Sequence, residues 1–74
     1  MATVHADLKG LRCPLPTLRI SVMAIKLKTG DVLDIVADCP SFETDVRDWC
    51  VRAKKVLVWL RDEGGGVKRC QIKF

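Results

Sequence analysis

The chain has 74 residues, 49% of them hydrophobic, and its 13 lysines and arginines against 9 aspartates and glutamates give a net charge of +4. A chain this short builds one domain, residues 1–74, and hides only about 60% of its extended surface, so we expect shallow clefts rather than an enclosed catalytic pocket. The charges are interspersed. A modest net positive charge is compatible with binding to an acidic protein surface or to tRNA, but it identifies neither partner.

The sequence lacks the patterns typical of secreted, membrane-spanning and metal-binding proteins. Residues 1–8 have no basic segment followed by an apolar core, so no secretory signal is predicted. The longest apolar run, Val56 to Leu60, is far shorter than the ~18 residues of a membrane span. We therefore expect a cytoplasmic protein with reduced cysteines. Cys13, Cys39, Cys50 and Cys70 lie 26, 11 and 20 residues apart with a single His5, which does not suit a metal.

The first two predicted elements are a strand and a helix. Val4, Ala6 and Leu8 alternate with polar residues as in a half-buried strand, which Gly10 ends. Beyond Cys13 the period becomes helical, and we expect Gly30 to close this helix as a left-handed cap. The apolar positions of the helix are Leu15, Leu18, Val22 and Ile25, with Arg19 and Lys26 on the other side.

The remaining pattern predicts a strand, a helix and a hairpin. Val32 to Ala37 is a β-branched apolar run, typical of a strand with neighbours on both edges. A regular amphipathic helix follows, with apolar positions Phe42, Val46, Trp49, Cys50 and Ala53. Val56 to Arg61 and Lys68 to Phe74 flank three glycines, as in an antiparallel hairpin.

The order β-α-β-α-β-β defines the fold class. It predicts an α/β two-layer sandwich, in which a four-stranded mixed sheet carries two helices on one face. The other face of the sheet would then be open.

The main candidate for a reactive site is the segment Cys13-Pro14-Leu15-Pro16, which lies between the predicted first strand and the start of the first helix. With Cys13 as N-cap, Pro14 suits the first helical position, and neither proline has an N–H. The Leu15 N–H, the positive helix end and Arg12 would remain to stabilise an anion, so the Cys13 thiolate is predicted to be a reactive nucleophile. The alternative is a capped helix with an incidental cysteine.

The segment Leu11-Arg12-Cys13-Pro14-Leu15-Pro16, with Gly30-Asp31-Val32-Leu33 and Asp38-Cys39-Pro40 downstream, resembles the TusA (SirA-like) family of sulfur carrier proteins over nearly the whole chain. The resemblance implies a β-α-β-α-β-β sandwich. It also implies that Cys13 carries a persulfide from a cysteine desulfurase or another sulfurtransferase to an acceptor protein, with no cofactor or metal. The relay would lead to 2-thiouridine in tRNA, to sulfur oxidation or to cofactor assembly.

Two positions depart from the family pattern. Ala53-Lys54-Lys55 replaces the usual glycine after the second helix, and Cys39 stands where an acidic residue is common. Cys13 and Cys39 each follow a strand and precede a proline and a helix, so parallel strands would place them at one end of the sheet. Cys39 is therefore a candidate second thiol, the alternative being a small residue that fills a loop.

The other candidates have weaker support. Cys50, Cys70 and Trp49 fit core positions, and His5 fits an exposed strand face. Arg19, Lys26 and Lys28 could receive acidic docking surfaces of donor or acceptor proteins, and we expect a monomer that does not bind nucleic acid directly. RNA binding on the open sheet face is the main alternative, and its candidate residues are Trp59, Arg61, Arg69, Gln71 and Lys73. A second alternative is a regulatory interaction protein without sulfur chemistry.

Overall fold

A computed structural model describes residues 2–12 and 15–74 of the chain. Its elements follow the predicted order: β1 Thr3–Asp7, α1 Leu15–Ala24, β2 Val32–Ala37, α2 Phe42–Ala53, β3 Val56–Gly64 and β4 Val67–Lys73. The bounds of β2 and α2 are those predicted, and β3 extends three residues further than predicted. Within the described ranges, no helix has the length and apolar character needed to cross a membrane.

The four strands form one mixed sheet in the order β1-β2-β4-β3. β1 and β2 are parallel, with Val4 opposite Leu33, whereas β4 is antiparallel to both β2 and β3. β2 therefore has a neighbour on each edge, as its apolar run predicts. The predicted fold class, an α/β sandwich with a mixed sheet, is confirmed.

The core lies between one face of the sheet and the two helices. Alternate residues of β1, β2 and β4 point into it, because neighbouring residues of a strand face opposite sides of the sheet. Phe42, Val46 and Cys50 of α2 and Ile20 of α1 pack against these strand residues and are fully or almost fully buried. The strand residues at the core are Ala6, Leu33, Ile35, Ala37, Cys70 and Ile72.

The buried side of α1 is not the predicted one. The helix buries Pro16 and Ile20 and packs Met23 against the core, while Leu18 is 55% exposed. The prediction was wrong because this segment carries two apolar stripes at helical spacing, and only one can face the sheet. At about 100° per residue the two stripes lie on nearly opposite sides of the helix. The stripe left in solvent is Leu15, Leu18 and Val22, and the exposed Ile25 continues it in the turn just beyond the helix.

Gly30 does not cap α1, contrary to the prediction. The helix ends at Ala24 and is followed by a turn in which Leu27 N–H donates to the Ala24 carbonyl at 3.2 Å. Gly30 has a φ of 96°, in the left-handed region, and its N–H donates to the Phe74 carbonyl at 2.7 Å. Its conformational freedom thus serves the turn that leads into β2.

Lys54 ends α2 in the conformation that glycine usually supplies. It has a φ of 57° and a ψ of 40°, a left-handed conformation that is strained for a residue with a side chain. Its N–H donates to the Val51 carbonyl and that of Lys55 to the Cys50 carbonyl, so the helix end is closed despite the strain.

Replacing Lys54 with glycine should stabilise the protein. Glycine relieves the left-handed strain, and we expect the free energy of unfolding to rise by about 0.5–1 kcal/mol after the entropic cost of glycine is subtracted. Urea denaturation of the two proteins measures this. Lys55 does not have a positive φ, so the matched Lys55→Gly variant should lose stability instead. Equal effects of glycine at the two positions would contradict the interpretation.

The open face of the sheet holds a buried carboxylate. Asp34 is 2% exposed, although its strand reads as an apolar run. Arg69 binds it through two hydrogen bonds of 2.8 and 2.9 Å, and Gln71 Nε2 donates to it at 3.0 Å. His5 Nδ1 lies 3.9 Å from the same carboxylate. The hydrogen bond from Arg69 is the main cause that lowers the pKa of Asp34.

Candidate functional site

The candidate site is built from two loops at one end of the sheet. Because β1 and β2 are parallel, the segment leading to α1 and the segment leading to α2 both leave the carboxyl ends of their strands. Residues 10–12 of the first loop and residues 38–41 of the second line one open groove with a volume of 580 Å³. The described parts of the two loops thus lie at the same end of the sheet, whereas Cys13, on which the predicted proximity to Cys39 depends, lies outside the described residues.

Asp38 ties the two loops together. Its carboxylate accepts a hydrogen bond of 2.9 Å from the Gly10 N–H, and Leu8 N–H donates to the Val36 carbonyl at 2.7 Å just below. Gly10 has a φ of 87°, which lets the backbone turn toward Asp38. The sequence contains a signal for this contact: Asp38 comes directly after one strand, and Gly10 comes after the strand that pairs with it in parallel. Sequence reasoning used Asp38 only as part of a family motif.

Cys13 and Pro14, on which the main prediction falls, lie outside the described residues. Their neighbours are described: Arg12 is exposed and lines the groove, and Pro16 is buried in the first turn of α1. Leu15 N–H donates to the Arg12 carbonyl at 2.7 Å. The expectation that this N–H stays available for an anion was therefore wrong, because the turn that begins α1 uses it.

Cys39 is only 3% exposed and forms part of the groove wall. Its Sγ lies 3.4 Å from Ser41 Oγ, and Ser41 Oγ donates to the Asp45 carboxylate at 2.9 Å. A serine hydroxyl has one proton, so Ser41 accepts from the Cys39 thiol when it donates to Asp45. This chain of hydrogen bonds favours the protonated thiol, a partnership that the sequence pattern did not indicate.

The predicted docking cations lie on the solvent side of the first helical segment. Arg19, Lys26 and Lys28 are all exposed. At about 100° per residue, Arg19 lies beside the exposed apolar stripe of α1 rather than opposite to it. Lys26 and Lys28 follow the end of the helix at Ala24.

The remaining cysteines are buried, as predicted. Cys50 is 4% exposed and Cys70 is not exposed at all. Burial raises the pKa of the Cys50 thiol. Burial also raises the pKa of the Cys70 thiol to about 12, with smaller contributions from Cys50 and Asp34. Both thiols stay protonated at neutral pH, and a protonated thiol is a poor nucleophile.

Residues predicted for the RNA alternative are largely engaged within the protein. Arg69 and Gln71 bind Asp34. The Arg61 guanidinium lies 4.7 Å from the centre of the Trp59 ring, and its Nε is 3.4 Å from Glu63. These contacts neutralise charge on the open face and give its side chains a structural role. His5 is exposed, as predicted, beside this network.

Trp49 joins the two helices instead of filling the centre of the core. It is half-buried, its ring centre lies 6.2 Å from that of Phe74, and its indole N–H donates to Ser21 Oγ at 2.8 Å. Trp49 also packs against the buried residues of the core, so its predicted core role is confirmed in part.

Two comparisons with known proteins identify the family of the chain. The family model Sulfurtransferase TusA matches residues 5–73, and the chain belongs to that family. The chain is also similar to an Aquifex aeolicus (strain VF5) protein whose provisional name is sulfur carrier protein, with 36% identity over 59 residues. That match covers 80% of this chain and 30% of the relative, so the chain spans about a third of the relative's length.

Proposed function

We propose that the protein carries a single sulfur atom as a persulfide on Cys13. The observation that supports this most is the pair of tied loops at the carboxyl ends of β1 and β2, from which the segment holding Cys13 departs. The substrate is itself a sulfur atom on another protein, so an open surface suits the reaction better than an enclosed pocket.

The proposed reaction is a pair of sulfur exchanges. The Cys13 thiolate attacks the terminal sulfur of a donor persulfide; the S–S bond of the donor breaks and the donor leaves as a thiolate. An acceptor thiolate then attacks the outer sulfur on Cys13, which returns to a thiolate. Electrons balance in both steps without an oxidant, reductant, metal or cofactor.

Donor, acceptor and compartment are parts of the same proposal. We propose a cysteine desulfurase or another sulfurtransferase as the donor, and a relay that ends in 2-thiouridine of tRNA or in sulfur oxidation as the destination. A reducing compartment such as the cytoplasm keeps the thiols ready for exchange. The direct test is to incubate the protein with a desulfurase and cysteine and to measure its intact mass, where we expect an addition of about 32 Da, one sulfur atom.

Cys39 is proposed as a second holder of the sulfur. It lines the groove with Arg12, the residue before Cys13. The Cys39 thiolate would attack the outer sulfur of the Cys13 persulfide, which leaves a thiolate on Cys13 and a persulfide on Cys39. The hydrogen bond that the protonated Cys39 thiol donates to Ser41 Oγ holds this step back until the thiol ionises.

Peptide mapping after loading tests the Cys39 step. Alkylated digests of the loaded protein should show persulfide on the Cys13 peptide and a smaller fraction on the Cys39 peptide, growing as pH rises because the attacking form is the thiolate. The Ser41→Ala variant removes the hydrogen-bond partner and should increase that fraction. Persulfide confined to Cys13 at every pH would rule out the second thiol.

A further inference from the structure

The side of α1 that faces solvent is apolar, although solvent-facing helix surfaces are usually polar. Its large side chains are 46%, 55%, 59% and 85% exposed, in the order Leu15, Leu18, Val22 and Ile25. They follow each other at spacings of three and four residues, so they form one continuous stripe. Contiguous apolar surface of this kind marks a place where another molecule binds.

The charges that the segment itself carries all have one sign. The segment of residues 15–28 contains no aspartate or glutamate. No ion pair among the described residues involves Arg19, Lys26 or Lys28. On α2, by contrast, Arg47 pairs with Glu43 and Arg52 pairs with Asp48 within the same helix. Lys28 lies beside Asp31, whose carboxylate accepts a hydrogen bond from the Lys28 N–H at 2.9 Å and whose pKa the lysine charge helps to lower. Arg19 and Lys26 are thus the cations left for an external acidic group.

The position of the stripe connects it to the site. Leu15, the first residue of α1, is two residues beyond Cys13, and Val22 lies seven residues further along the helix, about 10 Å at the rise of an α-helix. A protein lying along this surface would bring its own reacting cysteine to the start of α1. The buried stripe fixes this orientation, because Pro16 and Ile20 anchor the opposite side of the helix in the core.

We propose that the exposed stripe of α1 is the docking surface for the sulfur donor protein, and that the donor presents an apolar cleft edged by carboxylates. This inference rests on the proposed function of Cys13. Pairing of two copies through the same stripe is disfavoured, because it would bring the unpaired cations of one copy against those of the other. The apolar contact supplies affinity, whereas Arg19 and Lys26 speed association and make it dependent on salt.

The test compares two variants that make the same change of charge on exposed aliphatic residues. Leu18→Glu alters the stripe, and Val51→Glu alters an α2 residue that is 76% exposed. With purified cysteine desulfurase and cysteine, Leu18→Glu should raise the carrier concentration for half-maximal loading by about tenfold or more, equivalent to about 1.4 kcal/mol. Val51→Glu should stay within about twofold of the unmodified protein. Arg19→Glu should slow loading more at low salt than at high salt.

A small donor separates docking from chemistry. Sodium polysulfide should load the unmodified protein and both variants at equal rates, because it needs no docking surface. Equal effects of Leu18→Glu and Val51→Glu on desulfurase loading would overturn the inference, as would a dimer of the unmodified protein that Leu18→Glu disperses. Loading by polysulfide but not by desulfurase also overturns it and leaves Cys13 chemistry intact. Loading of Cys13 by neither donor overturns the proposed function itself.

Discussion

A protein in which Cys13 is replaced by serine will gain no sulfur from a desulfurase supplied with cysteine. Serine is similar in size to cysteine, but its hydroxyl forms neither a thiolate nor a persulfide. We expect the mass addition of about 32 Da to disappear completely rather than to slow. Intact mass spectrometry under non-reducing conditions measures this, and circular dichroism checks that the fold is retained.

The other three cysteines provide the controls. Cys50→Ala and Cys70→Ala should load as the unmodified protein does, since both thiols are buried and the pKa of each is raised. Cys39→Ser should also load, because it removes only the second position for the sulfur. An adduct that survives in Cys13→Ser would contradict the carrier mechanism, and its location among the three remaining cysteines would identify the real nucleophile.

Replacing Arg69 with methionine should lower the free energy of unfolding, because removing one partner leaves the buried Asp34 carboxylate without the cation that binds it. Gln71 would remain hydrogen-bonded to the carboxylate and His5 Nδ1 would lie 3.9 Å from it. A chain of this length is stable by about 4–11 kcal/mol in total, so the loss should be readily measured. Urea denaturation at neutral pH measures the difference.

Double substitution separates the ion pair from side-chain packing. Asp34→Val combined with Arg69→Met should recover most of the loss, because a buried pair replaced by apolar residues often costs little. Arg61→Met, on the neighbouring strand of the same face, should change stability by less than about 0.5 kcal/mol. A double variant as unstable as Arg69→Met would show that packing, and not the unpaired charge, causes the loss.

The same pair gives the stability a defined pH dependence. Arg69 lowers the pKa of Asp34 in the folded state, so the stabilisation is complete above the unfolded pKa of about 3.9 and is lost as pH falls through the folded pKa. Urea unfolding followed from pH 7 to lower pH should therefore show a loss of stability in acid that is smaller in the double variant. This forms part of the Arg69 experiment, since both rest on one interaction.

Local pattern was enough for most of the fold. β2 and α2 match their predicted bounds because a β-branched apolar run and a period of 3.6 residues each have one good way to bury their apolar side. The parallel pairing of β1 with β2 followed from the order of elements, and with it the proximity of the loops that hold Cys13 and Cys39. The chemical candidate, Cys13, came from the sequence alone, through its two prolines and its resemblance to a family of carriers.

Three features needed the tertiary structure. Two apolar stripes compete for the core in α1, and only packing against the sheet selects Ile20 over Leu18. In the sequence, Asp34 interrupts an apolar strand without a visible partner. The fold brings Arg69, 35 residues away, into contact with it. Asp38 binds Gly10 across 28 residues. Sequence determined which elements form and which thiol is the candidate, because those depend on neighbouring residues. The tertiary structure decided which surface faces outward and which charges are paired, because those depend on residues that only the fold brings together.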